Sequence, residues 1–114
     1  MSNAYKRFLT SLTNGSPATV LTVPAATTAI VKSILVSNSN ASSTTATVSI
    51  SPAGVGSHVV IPAASISAEE YFDFLGGWDG NSRVLVLEAG DLLKIEVTTT
   101  GVVATVSALL IDRT

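Results

Sequence analysis

The sequence predicts an all-β chain: a single antiparallel β-sandwich, jelly-roll or immunoglobulin-like, of about eight or nine short strands. Three observations predict it. Apolar residues recur with a period of two, the signature of a strand with one buried face. Strand-like runs follow one another at regular short spacing, separated by Gly, Pro, Asn and Ser. No stretch carries a helical period. The loops are too short for the crossovers that parallel pairing needs, so the sheets should be antiparallel. At 114 residues the chain has room for one core and not for two.

Residues 1–13 carry Lys6, Arg7, Tyr5, Phe8, Leu9 and Leu12 and read as a first strand or as an arm that docks on a neighbouring subunit. The sandwich proper should occupy residues 14–114. Asn14-Gly15-Ser16-Pro17 is a strong turn. Residues 18–23 form a short strand stopped by Pro24. Residues 27–38, TTAIVKSILVSN, make the most hydrophobic early strand, with Ile30, Ile34 and Val36 expected on one face and Val31, Ser33 and Leu35 on the other. Lys32 falls among the first set and should snorkel to the rim. Residues 44–51 alternate, Ala46, Val48 and Ile50 inward and Thr45, Thr47, Ser49 and Ser51 outward. Residues 57–61 form a strand closed by Pro62, since a missing N–H does least harm at a strand end. In residues 68–75, Glu69, Tyr71, Asp73 and Leu75 alternate with Glu70, Phe72 and Phe74, which places Phe72 and Phe74 in the core.

The most ordered pattern is LVLEAGDLLKIEV, residues 85–97. Two strand-like runs, residues 84–87 and Leu92–Val97, flank Glu88-Ala89-Gly90-Asp91. Gly90 admits positive φ and Asp91 can accept hydrogen bonds from the turn backbone, so the segment reads as a β-hairpin. The first run is apolar on both faces and should lie centrally. The second places Leu93, Ile95 and Val97 on a buried face. A last strand, residues 102–111, aligns Val102, Ala104, Val106, Ala108 and Leu110.

Composition narrows the function classes. Hydrophobic residues are 46% of the chain but aromatics only 5%, so Val, Ile, Leu and Ala must build the core. Charged residues are 12%, about half the usual quarter, and fifteen Ser and fourteen Thr fill much of the rest. So neutral a surface forgoes charge repulsion as a means of staying monomeric, and reads as one partly covered by other protein. The net charge is −2 and the six basic residues are scattered, which argues against nucleic acid. No apolar run approaches the ~18–20 residues of a spanning helix, so no membrane partner is expected. Cysteine is absent, which excludes disulfides and thiolate metal sites.

The residues that could carry chemistry point to no enzyme, metal or cofactor. His58 is the single histidine, and no G-x-S-x-G or phosphate-binding loop occurs. Glu69 and Asp73 would share a strand face with Tyr71, but a glycosidase also needs a cleft. Asp73, Asp79 and Asp91 are too few and too far apart in sequence for calcium. Trp78, in the loop Gly76-Gly77-Trp78-Asp79-Gly80, is the one tryptophan and suits a cover folded back over an open end of the core, a protein contact or a sugar stack.

TVPAATTAIVKSILVSNSNASSTTATVSI (residues 22–50) followed by LVLEAGDLLKIEVTTTGVVATVSALLI (residues 85–111) resembles a group of small tailed-phage virion proteins. The shared pattern is TVPA-x-x-TAIV-x-SI-x-V-x-N, then a strand of small β-formers, an L-x-AGD-x-L-x-V turn and an alternating final strand. It runs from about residue 20 to residue 111, departs at residues 57–81 and does not extend to the N-terminal arm. The resemblance implies a non-enzymatic β-sandwich on the virion, as capsid decoration, neck or tail-associated protein, with other virion proteins as partners. A homo-oligomer follows, a trimer being one form. Tyr5, Lys6, Arg7 and Phe8 are the expected docking arm, with Phe74 and Trp78 at a contact surface. The rival from another class is a carbohydrate-binding or host-adhesion module built on Trp78.

Overall fold

A computed structural model describes residues 3–75 and 84–113 of the chain. These form nine strands: β1 (Asn3–Leu12), β2 (Ala18–Thr22), β3 (Thr27–Asn38), β4 (Thr44–Ser51), β5 (His58–Ile66), β6 (Glu70–Asp73), β7 (Leu85–Leu87), β8 (Leu92–Val97) and β9 (Val102–Asp112). One sheet has the order β1-β9-β3, with β7 and β6 sharing the far side of β3. The other has the order β2-β8-β4-β5. Every strand pair is antiparallel. The chain is an all-β sandwich, as its period-two pattern predicts.

Aliphatic side chains fill the space between the sheets. Val31, Ile34, Val36, Leu87, Val102, Ala104 and Val106 line the first sheet, and Leu21, Ala46, Val48, Leu93, Ile95 and Val97 the second. The small flat side chains of β9 and β4 let the sheets approach, and Phe74 is the one fully buried aromatic among the described residues.

The turn at residues 88–91 forms for the reasons its residues suggest, but it is no hairpin. Gly90 has φ +86°. The Asp91 carboxylate accepts the Glu88 N–H at 2.9 Å and the Ala53 N–H at 3.0 Å. The strands it joins nevertheless lie in different sheets: β7 pairs with β3, and β8 with β2 and β4. The turn is therefore an arch across the sandwich. Its backbone bonds go to the segment after β2, where the Gly90 N–H donates to the Val23 carbonyl and the Val23 N–H to the Asp91 carbonyl. Nor is β7 central. It is a three-residue strand at the sheet margin, with Leu87 buried and Val84 and Val86 exposed.

Three further expectations are corrected by bulges and turns. In β3 the register to β9 slips between Val31 and Ser33, so Lys32 occupies a bulge and the alternation changes phase. Ala29 and Val31 face inward before it, Ile34 and Val36 after it, and Ile30 is on the opposite face from Ile34. Lys32 is exposed. In β5 the strand runs through Pro62 to Ile66, because two register slips against β4 bulge this edge strand and relieve proline of a ladder bond. Ser51, expected outward, is fully buried where the 3₁₀ turn Pro52–Gly54 folds against the arch. Its hydroxyl has no hydrogen-bond partner among the described residues. Ser51→Ala should therefore raise stability by about 1 kcal/mol. Urea denaturation checks this, and a lower midpoint would mean that the hydroxyl is satisfied.

One end of the sandwich is tied by a polar knot. Asn38 ends β3 and is buried. Its amide donates to the carbonyls of Ser42 (2.9 Å), Ser67 (3.2 Å) and Ile66 (3.3 Å). Its carbonyl oxygen accepts the backbone N–H of Asn40 at 3.0 Å. Asn40 in turn donates to the Thr100 carbonyl at 2.8 Å. Two asparagines thus join the β3–β4, β5–β6 and β8–β9 loops.

Candidate functional site

The registers place side chains in rows across the outward face of the first sheet. Tyr5 pairs with Leu109, Leu109 with Ile30, and Ile30 with Val86. That row is apolar or aromatic across all four strands. Leu9, Thr105, Leu35 and Asp73 form a second row, and Ser11, Val103, Ser37 and Tyr71 a third. Between the first two lies Arg7 with Ser107 and Ser33. Cross-strand neighbours stand about 5 Å apart, so each row is a continuous ridge. Several members are open to solvent: Tyr5 is 73% exposed, Tyr71 68%, Val86 61% and Leu9 59%. Arg7 and Asp73 are the only charges in these rows.

The outward face of the second sheet is built differently. Thr47 pairs with Glu96, Ser49 with Lys94, Thr45 with Ser65 and Thr19 with Lys94. Hydroxyls and one mixed pair of charges dominate it, with the exposed Val59 opposite Ser49 at its β5 edge. A solvated sandwich face is normally polar, as this one is, while a contiguous exposed apolar patch marks an interaction site. The two outer faces therefore differ in kind, and the first sheet carries the candidate site.

The docking residues expected from sequence fall variously on this frame. Residues 3–12 are a strand and not a free arm, in unbroken register with β9 from Asn3↔Ile111 to Leu12↔Val102. Tyr5 and Arg7 stand on the apolar face. Lys6 is exposed on the opposite parity, and Phe8 is half-buried against the core. Deleting residues 1–8 would thus remove Phe8 and uncover the β9 edge. The expected result is a loss of about 1–2 kcal/mol together with new self-association, read by thermal denaturation and sedimentation. An unchanged melting temperature would restore the picture of a dispensable arm.

Phe74 lies in the core, as its alternation with Phe72 predicts, and not at the contact surface also expected for it. It is only 8% exposed, it packs at 4.9 Å between ring centroids on Phe72, and its N–H donates to the Ile34 carbonyl at 2.9 Å. It belongs to the core and cannot reach a partner. Trp78 and Asp79 lie outside the described residues.

The remaining chemical candidates are dispersed. Glu69 precedes β6 with φ +59° and so does not share a strand face with Asp73 and Tyr71. Glu69, Glu70 and Tyr71 border an open depression of ≈ 320 Å³ with Ser37, Asn38 and Ser39. His58 is exposed at the start of β5. Asp73 lies on β6 and Asp91 in the arch, where both carboxylate oxygens already accept backbone N–H groups. Among the described residues no three His, Cys, Asp or Glu side chains converge as metal ligands.

No family model matches the chain, and no curated protein matches it significantly. The apolar face escaped the sequence reading because it is assembled from five strands spread along the chain. A signal was present, since β3 and β9 carry large apolar residues on both parities: Val31 and Leu35 beside Ile30 and Ile34, Leu109 and Ile111 beside Val106.

Proposed function

We propose that the chain is a non-enzymatic structural protein of a tailed-phage virion, a capsid decoration or a neck or tail-associated component. It works by burying the outward face of its first sheet against neighbouring protein, as part of a homo-oligomer. The observation that carries the interface is the contrast between the two outer faces, one ridged with Tyr5, Leu109, Ile30 and Val86 and the other hydroxyl-rich. Support for the virion comes from the resemblance of residues 22–50 and 85–111 to small virion sandwiches. A chain with 12% charged residues suits a surface that is covered in assembly. On a symmetric particle each copy adds the same contact, and avidity multiplies modest affinities.

Immunogold electron microscopy of the source particles, with an antibody against this chain, is the test. Regular label over the head identifies decoration, and label at the neck or tail identifies a joining or tail role. Absence of label from every particle would remove the virion reading.

A further inference from the structure

We infer that the partner on the apolar face is a second copy of this chain, packed face to face about a two-fold axis parallel to the strands. The inference rests on the interface reading above and adds the identity and orientation of the partner. β9 and β3 are the middle strands of the first sheet, with β1 on one side and β6 and β7 on the other. A two-fold along the strands, between β9 and β3, lays β9 over β3 of the partner and β1 over its β6 and β7. Each row stays at its own level. The apolar row then meets itself, Tyr5 over Val86 of the partner subunit and Leu109 over Ile30 of the partner subunit.

The charges choose between orientations. Arg7 stands on the β1 side of the face and Asp73 on the β6 side, in adjacent rows. The same rotation brings each guanidinium toward the other copy's carboxylate, twice per dimer, while the Asp73 carboxylate also accepts the Leu75 N–H at 3.1 Å. A two-fold across the strands, centred on the Arg7 row, would instead stack β1 on β1 and set Arg7 against Arg7. A three-fold would need two different complementary patches, whereas this face complements itself.

The area is sufficient. Four strand positions at ~4.8 Å spacing and a longest strand of twelve residues at ~3.4 Å bound the face at roughly 780 Å², close to the ~800 Å² per partner of a standard stable interface.

The chain has no cysteine, so introduced thiols report without background. In a Tyr5→Cys, Val86→Cys double variant the two thiols of one copy lie across three strand spacings, roughly 14 Å. A bismaleimide shorter than that distance can link them only between copies. The expected result is a linked species at twice the 11.6 kDa of the chain in the double variant, and none in either single variant. In light scattering, Val86→Lys should weaken the dimer about tenfold or more with an unchanged circular dichroism spectrum, because Val86 is exposed in the single copy. A single 11.6 kDa species across the whole concentration range would overturn the inference, as would cross-linking through Tyr5→Cys alone. A monomer still found on labelled particles defeats the two-copy arrangement and leaves the virion reading standing. A linked dimer absent from every particle does the reverse.

Discussion

Asn38→Ala should destabilise the protein by about 3 kcal/mol, as much as a large core cavity. The residue is 2% exposed, and its amide satisfies three backbone carbonyls. Truncation leaves those carbonyls of Ser42, Ile66 and Ser67 without their side-chain donor and the Asn40 N–H without its acceptor. The loss spreads, because Asn40 loses the acceptor that orients it toward Thr100, and the Asn40 carbonyl holds the Glu69 N–H at 3.1 Å. Asn38→Asp separates the terms: the shape is kept, three carbonyls face an oxygen, and the cost should be at least as large. The check is urea denaturation of the three proteins at equal slope. A loss under 1 kcal/mol for Asn38→Ala would mean that water replaces the amide without difficulty and that the knot is incidental.

Leu93→Ala should cost a similar amount, about 3 kcal/mol within the 2–5 kcal/mol usual for such core truncations. Leu93 is fully buried in β8, between Leu21 of β2 and Ile50 of β4. The site cannot collapse readily. Its neighbours are β-branched or short aliphatic side chains held on strands, with few rotamers available to fill a void. Leu93→Met keeps most of the volume and should cost under about 1.5 kcal/mol. If the alanine variant lost less than the methionine variant, the packing around β8 would have to be loose. Neither substitution touches the apolar outer face, so dimer cross-linking should persist in whatever fraction remains folded.

Much of this architecture was legible before any coordinates. Leu93, Ile95 and Val97 on one face of β8, and Val102, Ala104, Val106 and Ala108 on one face of β9, are buried as their alternation requires. These strands run without bulges over the alternating stretch, so a period-two count keeps its phase from end to end. The count failed in β3 for a physical reason. One extra residue at Lys32 reverses the faces of everything beyond it, and composition does not mark where a ladder slips. In β5 two such slips carry the strand past Pro62, where the sequence ends it. Phe74 follows the end of β6 and enters the core beside Phe72, as the alternation of residues 68–75 requires, and that burial is at odds with its expected place at a contact surface.

The candidate site divides in the same way. Tyr5 and Arg7 were recognisable as candidates for the outward face because an aromatic and a cation near the start of a weakly charged chain are conspicuous. Their companions Leu109, Ile30 and Val86 were not, since each alone is an ordinary strand residue.

By itself the sequence determined the class of fold, the aliphatic character of the core and the tightness of the turn at Gly90 and Asp91. All of these follow from local periodicity, composition and backbone preference. Only the tertiary structure decided that this turn arches between sheets instead of closing a hairpin, and that one outer face is apolar while the other is hydroxyl-rich. The reason is that a turn's residues set its curvature but not its partner strands. Pairing is chosen by long-range burial: β7 against β3 and β8 against β2 and β4 place Leu87 and Leu93 in one core from opposite sides. A surface assembled from five strands exists only once that choice has been made.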